Sequence, residues 1–176
     1  MPEELKKYIR SIKDFPKKGI MFRDITTLLK DPIAINRTID GLLTLSDGLQ
    51  IDKVVGIEAR GFIFGSLLAQ KLGVGFIPAR KPGKLPAQTE SETYSLEYGE
   101  DSIEIHKDAI SPGDKVLLHD DLLATGGTAQ AAAKLIEKLT GKILQISFVI
   151  ELSFLNGRDK LKGYDVRSLI TYDSED

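Results

Sequence analysis

The sequence predicts an α/β domain in which a central, mainly parallel β-sheet is flanked by helices. Short apolar runs typical of buried strands alternate along the chain with segments of helical apolar spacing, and this alternation indicates βαβ units. The length of 176 residues fits a single domain, residues 1–176, that can bury a sizeable core. No repeat or low-complexity tract interrupts the pattern.

The N-terminal segment is predicted to be a small attachment to this domain. Residues 5–12 have the apolar spacing of an amphipathic helix. Pro16 and Gly19 then predict a turn that leads into Met21-Phe22-Arg23. The sheet itself is expected to begin only after this segment.

The remaining elements follow the alternation in order. Helices are predicted at residues 32–45, 61–72 and 129–139, and strands at 52–58, 75–80, 116–118 and 142–151. Ligands of such sheets bind beyond the carboxyl ends of the strands. We therefore expect Glu58, Arg80 and Asp120 to emerge at one site.

Composition argues against several classes of protein. A net charge of −2 and a pI near 5.8 argue against nucleic-acid binding, because phosphate contacts need a basic surface. With no cysteine and only His106 and His119, neither a disulfide framework nor a zinc cluster is expected. No apolar run approaches the roughly 20 residues of a membrane span, and the N-terminus lacks a signal-peptide core. We expect a cytoplasmic protein with no membrane or nucleic-acid partner.

The most informative stretch is residues 115–128, where Asp120 and Asp121 follow an apolar strand and a small-residue loop precedes an alanine-rich helix. Carboxylates have only acceptors and suit the vicinal hydroxyls of a ribose. Glycines and the free N–H groups of a helix start suit a phosphate, with hydroxyls as further donors. The loop residues are Ala124, Thr125, Gly126, Gly127 and Thr128. The motif predicts a sugar-phosphate site. The alternative is a turn in which the acids cap and the glycines only make the bend.

Cations follow two other predicted strands. Arg60 could bind a pyrophosphate, helped by backbone N–H groups of the helix that begins beside it. Its alternative is a surface arginine paired with Glu58. Arg80, Lys81 and Lys84 form a second cationic cluster, which a solvated loop would explain equally well.

A loop without periodicity lies between the second cationic cluster and a tyrosine-rich segment. Residues 85–93 are polar and contain a proline, which is typical of a mobile loop. They lead into residues 94–99, in which Tyr94, Leu96 and Tyr98 alternate with smaller or polar residues. One interpretation is a lid that keeps water from a reactive ribose. The other is an ordinary β-hairpin.

The segment 115–128 resembles the phosphoribosyl-pyrophosphate motif of type I phosphoribosyltransferases: a hydrophobic strand, two acids, two apolar residues and Ala-Thr-Gly-Gly-Thr. Further stretches resemble that family at residues 14–16, 19–25, 58–65, 80–86 and 94–99, so the likeness runs from about residue 14 to about residue 160. The pair Leu122-Leu123 resembles the members that act on adenine. The resemblance implies a type I phosphoribosyltransferase-like fold with an N-terminal hood, residues 1–35, and a flexible lid loop and hairpin, about residues 84–106.

The resemblance also implies an activity. The 5-phosphoribosyl group would pass from 5-phosphoribosyl 1-pyrophosphate to adenine, giving AMP and pyrophosphate in purine salvage. Mg²⁺ should accompany the substrate, held mainly by substrate oxygens and water. A homodimer is implied as well. Two alternatives stay open: a phosphoribosyltransferase for a 6-oxopurine such as hypoxanthine or xanthine, and a non-catalytic regulator that senses phosphoribosyl pyrophosphate.

Residue roles on the pyrophosphate side come from the same resemblance. Glu58, Ala59 and Arg60 match the pyrophosphate loop, which in the family often has a cis peptide between the first two of these positions. Cations beside it would stabilise the negative charge of the leaving pyrophosphate. These are Arg80, Lys81 and Lys84.

On the base side, Phe22 would stack on the purine and Leu122 would cover its other face. Without the resemblance, an aromatic residue near a helix boundary is more often part of the core. Backbone groups of Met21 and Arg23 would read the adenine edge. Glu97 would transfer a proton at the purine imidazole nitrogens, and it is assigned to catalysis together with Arg60.

Two departures from the family pattern are visible. His119 stands where the family usually has an apolar residue, and in a strand it should face away from Asp120, so we interpret it as packed or hydrogen-bonded. Residues 151–160 match the family only loosely.

Overall fold

Strands and helices alternate along the chain as the apolar pattern indicates. The computed structural model describes residues 2–96 and 98–175. The strands are β1 (Arg10–Lys13), β2 (Met21–Asp24), β3 (Lys53–Ile57), β4 (Gly75–Ala79), β5 (Thr89–Ser95), β6 (Glu100–His106), β7 (Lys115–Leu123), β8 (Lys142–Leu152) and β9 (Val166–Tyr172). The α-helices are α1 (Thr26–Leu29), α2 (Pro32–Leu45), α3 (Gly61–Leu72) and α4 (Gly127–Lys138). Short 3-10 helices cover Pro2–Tyr8, Ser153–Leu155 and Gly157–Leu161.

A five-stranded sheet with the order β4-β3-β7-β8-β9 forms the centre of the fold. Each neighbouring pair in it is parallel. Two antiparallel hairpins, β1-β2 and β5-β6, lie outside this sheet. The prediction of a mainly parallel sheet flanked by helices is therefore confirmed.

Apolar side chains of β7 alternate between the two faces of the sheet. Val116 and Leu118 pack in a core with α4, whereas Leu117 packs in a second core with α2 and α3. All three side chains are fully buried. Strands covered on both faces read as continuous apolar runs, which is why the sequence pattern located this strand.

Helices α3 and α4 each begin just beyond the carboxyl end of a central strand. β3 ends at Ile57 and α3 starts at Gly61, while β7 ends at Leu123 and α4 starts at Gly127. Both helix N-termini, with their unpaired N–H groups, therefore meet at one edge of the sheet. That edge is where anionic ligands are expected.

The helix predicted for residues 5–12 is wrong in type and extent. The chain forms a 3-10 helix only to Tyr8, and Arg10 begins β1. Strand pairing explains the difference, since Arg10 lies opposite Asp24 of β2 and its Nη2 atom pairs with Asp24 Oδ2 at 2.6 Å. Contacts distant in sequence have overridden the local apolar spacing.

The irregular loop predicted for residues 85–93 is wrong over its second half, because β5 begins at Thr89. The strand is hidden in the sequence because its partly buried positions include Glu90 and Glu92, which pair with Lys138 and Lys134 of α4. A polar strand of this kind lacks the apolar alternation that identifies strands. The edge strand β9 was not predicted at all.

Candidate active site

The carboxyl edge of the central sheet brings eight of the predicted site residues together in one cleft, whose lining does not include the predicted Arg80 and Lys84. A cleft of about 170 Å³ opens where β3, β4 and β7 end. Its lining includes Glu58, Ala59, Arg60, Lys81, Asp120, Asp121, Leu122 and Thr128. Segments that are far apart in sequence thus form one site, as the position of the strand ends predicts.

The two acids lie inside β7 rather than in the turn after it. The Asp121 N–H donates to Asp120 Oδ1 over 2.8 Å. Gly61 leaves room for the acid pair, because a Cβ at this position would lie 2.8 Å from Asp120 Oδ1. The first residue of α3 must therefore be small for the acids to keep their place.

Burial shifts the pKa values of the acid pair. Burial and the neighbouring Asp121 carboxylate raise the pKa of Asp120 well above its usual range. Burial also raises the pKa of Asp121, and the positive charge of Arg60 opposes that rise. Asp121 Oδ2 is buried and receives no hydrogen bond from any described residue. A buried acceptor without a donor is costly, so the site is prepared for a ligand that brings hydroxyl hydrogens.

Arg60 connects the acids to an aromatic residue of the N-terminal hairpin. Its Nε lies 2.9 Å from Asp121 Oδ2, an ion pair without hydrogen-bond geometry. Its guanidinium carbon lies 5.2 Å from the centre of the Phe22 ring, within cation–π range. The carboxylate that pairs with Arg60 is thus Asp121, while Glu58 pairs with another arginine.

Glu58 organises the second group of cations. Its Oε1 lies 3.3 Å from Arg80 Nη2, and its Oε2 accepts the Lys81 N–H over 2.7 Å. Although burial raises the pKa of Glu58, these hydrogen bonds hold it below its usual range. Arg80 Nη1 also donates to the Lys84 carbonyl oxygen over 3.3 Å. The Glu58–Ala59 peptide is cis, as the resemblance implies.

The loop between β7 and α4 depends on a close contact between two glycines. Gly126 has φ +81°, and a Cβ there would lie 2.4 Å from the Gly157 carbonyl oxygen. A Cβ on Gly157 would lie 2.3 Å from the Ala124 carbonyl oxygen. A small cavity of about 90 Å³ is lined by the whole predicted loop, residues 124–128. The 3-10 turn that contains Gly157 therefore supports the loop from behind.

The N-terminal hairpin presents Phe22 on the side of the site next to Arg60. Phe22 is half-buried and makes an edge-to-face contact with Phe15 at 5.1 Å between ring centres. The Arg23 side chain is buried elsewhere: its Nη2 donates to the Glu175 carbonyl oxygen over 2.9 Å, and its guanidinium lies 4.0 Å from the Tyr172 ring centre. Only the main chain of Arg23 is left for a ligand.

The β5-β6 hairpin faces the loop of residues 124–128 across a cavity of about 600 Å³. Tyr94, Leu96 and Tyr98 line it on the hairpin side, and Thr125 and Thr128 line it on the loop side. Tyr98 is 80% exposed. The predicted catalytic residue Glu97 lies outside the described residues.

The sequence profile of the phosphoribosyl transferase domain matches residues 25–172. The chain belongs to the phosphoribosyl transferase family. It is 62% identical over 169 residues to a protein from Christiangramia forsetii that is named adenine phosphoribosyltransferase, covering 96% of this chain and 99% of that relative.

Solved structures of phosphoribosyl transferases also resemble this chain. Adenine phosphoribosyltransferase from Thermoanaerobacter pseudethanolicus is 57% identical, with a TM-score of 0.96, over 98% of this chain and 100% of that one. The enzyme from Saccharomyces cerevisiae is 44% identical, with a TM-score of 0.91, over 96% and 97% of the two chains. That structure is a complex with adenine and D-2,5-dideoxy-2,5-imino-altritol 1,6-bisphosphate.

Two residues of this phosphoribosyl transferase site were missed in the sequence. Gly157 lies in the stretch that matches the family loosely, and only its contact with Gly126 reveals its place. Asp101 contacts Lys81 from the hairpin. The sequence did contain a signal for it. Asp101 stands two and four residues before Ile103 and Ile105, which are both buried, so in a strand its carboxylate lies on the same inward face of β6.

His119, the departure from the phosphoribosyl transferase pattern, is packed and hydrogen-bonded as predicted. It is fully buried, and its Nδ1 lies 2.9 Å from Ser147 Oγ. Its Nε2 has no hydrogen-bond partner among the described residues. Burial lowers the pKa of His119 to about 3, so the ring is neutral at physiological pH.

This neutral histidine should make stability depend on pH. The unfolded chain binds a proton at His119 below about pH 6.5, whereas the folded chain does so only near pH 3, so stability is lost as the pH falls through this window. We expect His119 to contribute a loss of about 2 kcal/mol in the free energy of unfolding between pH 7.5 and pH 5. Denaturant titrations of the parent and His119→Asn at both pH values isolate the contribution of His119 to this loss of stability. Asparagine keeps a polar partner for Ser147 but does not titrate, and equal pH dependence in both proteins would contradict the assignment.

Proposed function

We propose that this chain transfers the 5-phosphoribosyl group from 5-phosphoribosyl 1-pyrophosphate to adenine, giving AMP and pyrophosphate in purine salvage. The observation that carries the proposal is the meeting of a buried acid pair and a glycine-rich helix start at the end of β7. The 62% identity to a relative named adenine phosphoribosyltransferase supports adenine as the base.

The ribose 5-phosphate portion binds along the end of β7 and the loop that follows. Asp120 and Asp121 accept hydrogen bonds from the vicinal hydroxyls. Asp121 Oδ2, which is ion-paired with Arg60 but accepts no hydrogen bond from the described residues, gains a donor in this way. The 5-phosphate lies in the loop of residues 124–128, where N–H groups of the first turn of α4 and the hydroxyls of Thr125 and Thr128 donate to it.

The pyrophosphate lies on the side of the cations. Its bond to C1 of the ribose breaks as the purine N9 attacks C1, and negative charge grows on the departing oxygen. Arg60, Arg80, Lys81 and Lys84 stabilise that charge, together with main-chain N–H groups near Glu58-Ala59. Because Glu58 and Asp121 hold two of these cations in place, little reorganisation is needed in the transition state.

Adenine lies next to Phe22, with Leu122 against its other face. The ring contact between Arg60 and Phe22 supports this placement, because it brings the base side within reach of the pyrophosphate side. Main-chain groups of Met21 and Arg23 read the adenine edge. The N9 proton leaves the base as the N9–C1 bond forms, and Glu97 serves proton transfer at the imidazole nitrogens.

Magnesium accompanies the substrate in this proposal. Within residues 2–96 and 98–175, no three His, Cys, Asp or Glu side chains gather in a set that could hold a metal ion. The adjacent carboxylates of Asp120 and Asp121 fit an ion that is held mainly by substrate oxygens and water, as is usual for Mg²⁺. When bound, the ion neutralises charge on the pyrophosphate oxygens.

The proposal also assigns roles to the segments around the site and an assembly to the chain. Residues 1–35 act as a hood over the base and residues 84–106 as a lid over the reacting ribose, with Tyr94 and Tyr98 on its inner side. The chain works as a homodimer in the cytoplasm, without nucleic acid or membrane. Among the described residues, no helix has the length and apolar character to cross a membrane.

A panel of bases tests the reaction. The chain is incubated with phosphoribosyl pyrophosphate, Mg²⁺ and adenine, hypoxanthine, guanine or xanthine, and nucleotide and pyrophosphate are measured together. We expect kcat/KM for adenine to exceed that for each other base by at least about 10²-fold, since a site that hydrogen-bonds one polar edge rejects the reversed donor pattern. Preference for hypoxanthine, guanine or xanthine would support a 6-oxopurine enzyme. No turnover, with a gel shift on nucleic acid, would indicate the regulator.

A further inference from the structure

Three cations of the site each pair with a carboxylate, and one pair differs from the others. The pairs are Arg60–Asp121, Arg80–Glu58 and Lys81–Asp101. In the first two, the carboxylate lies in or directly after a central strand. Asp101 instead lies on β6 of the hairpin that covers the site.

The contact of Lys81 with the hairpin involves three side chains. Lys81 Nζ forms a short ion pair with Asp101 Oδ2 and donates to the Tyr94 hydroxyl over 3.2 Å. The Tyr94 hydroxyl lies 3.3 Å from the same Asp101 oxygen, to which it donates. Asp101 Oδ1 accepts the Ser102 N–H over 2.8 Å. Lys81 also lines the cleft beside the acid pair, so this lysine contacts the hairpin and borders the proposed substrate site.

Asp101 lies between an anchored and an exposed part of the hairpin. On one side, Ile103 and Ile105 are buried in the core, and the main chain of Glu104 exchanges two hydrogen bonds with Arg80. On the other side, Leu96 and Tyr98 are 49% and 80% exposed. A change of partner at Asp101 can therefore occur while the base of the hairpin stays in place.

We propose that Asp101 is a positioning residue that competes with pyrophosphate for Lys81. The inference rests on the proposed function, because it assigns the anion that Lys81 receives. As the pyrophosphate group enters, its oxygens take the ammonium from Asp101; as pyrophosphate departs, Asp101 takes the ammonium back. No covalent bond changes in this exchange.

The charges of Asp101 and Lys81 explain why the exchange favours release of pyrophosphate. Asp101 stays ionised, since the hydrogen bond from Lys81 lowers its pKa. Lys81 stays protonated: burial lowers its pKa, but the contacts with Asp101 and Tyr94 outweigh burial, so the pKa is raised overall. Bound pyrophosphate would thus have a carboxylate close to it, and like charges repel. Asp101 weakens the binding of pyrophosphate and shortens its stay on the enzyme.

Removal of this carboxylate tests the inference. Asp101→Asn should bind sodium pyrophosphate, in the presence of Mg²⁺, about two- to fivefold more tightly in calorimetry, which is the range for a partly exposed ion pair. KM for phosphoribosyl pyrophosphate should fall similarly and kcat should not rise. Asp101→Glu keeps the carboxylate and should restore weak binding.

A matched control removes the same charge from the same hairpin. Glu90→Gln breaks the ion pair with Lys138 of α4, 2.8 Å long, and should leave pyrophosphate affinity unchanged. In a Lys81→Gln background, Asp101→Asn should have no effect on that affinity. Unchanged or weaker binding by Asp101→Asn, or equal tightening by Glu90→Gln, would overturn the inference. Tighter binding without AMP formation by the parent would instead overturn the proposed function alone.

Discussion

Replacement of Asp120 and Asp121 together with asparagine should lower kcat/KM for phosphoribosyl pyrophosphate by about 10²- to 10⁴-fold. Each acid is expected to accept charge-assisted hydrogen bonds from ribose hydroxyls, worth about 1.5–3 kcal/mol each. Asp121 Oδ2 has an ion pair with Arg60 but accepts no hydrogen bond from the described residues, so a ligand hydroxyl can supply that donor. Steady-state kinetics with varied phosphoribosyl pyrophosphate measure the loss.

The same variant should fold at least as stably as the parent at neutral pH. Burial raises the pKa of both acids, so ionising them in the folded chain costs free energy that asparagine does not. The stability advantage should grow as the pH rises through the raised pKa values. Asp47→Asn with Asp108→Asn, two exposed positions, is the control for lost charge. Normal kinetics in a folded Asp120/Asp121 variant would mean that the acids only shape the end of the strand.

Gly126→Ala should destabilise the chain by about 2–5 kcal/mol and weaken the use of phosphoribosyl pyrophosphate. About 1–2 kcal/mol comes from the left-handed backbone at φ +81°. The rest comes from overpacking, typically about 1–3 kcal/mol, because the new Cβ would lie 2.4 Å from the Gly157 carbonyl oxygen. Denaturant unfolding and kinetics on the same preparation measure both effects.

Gly113 offers a control for the backbone part of this effect. Its φ is +84°, and a Cβ there would have no atom within 4 Å. Gly113→Ala should therefore lower the free energy of unfolding only by the cost of the left-handed backbone, about 1–2 kcal/mol, with any further change within about 0.5 kcal/mol. Its turnover should stay normal. If both variants lose the same stability, the contact between Gly126 and Gly157 does not shape the loop.

The fold was predictable where the signal is local. The run around Leu117 is apolar because β7 is buried on both faces, and the site motif follows it directly in the sequence. The prediction failed where pairing partners decide the structure. Arg10 is in a strand because of Asp24, and Glu90 is in a strand whose partly buried face is neutralised by a lysine of α4. Neither partner is visible within a short window of sequence.

The candidate site divides in the same way. The acid pair and the proposed phosphate loop lie within nine consecutive residues, 120–128, so a sugar-phosphate site could be predicted from one segment. Asp101 and Gly157 act through contacts with Lys81 and Gly126, which only the folded chain brings near them. Residues proposed to touch a ligand therefore left a motif in the sequence, whereas the residues that hold them in place did not.

The contact between Arg23 and the Glu175 carbonyl oxygen joins positions 152 residues apart. On the ribosome, the segment that carries Phe22 is made early. Its buried Arg23 can then donate to Ser11, but the Tyr172 ring and the Glu175 carbonyl oxygen come only with β9 and the residues after it. The loop of residues 124–128 lies between β7 and α4 and contacts the turn at Gly157, and all three are synthesised sooner. Because loop closure over a long separation slows folding, we expect the part of the site proposed to hold the sugar phosphate to form before the part proposed to select the base.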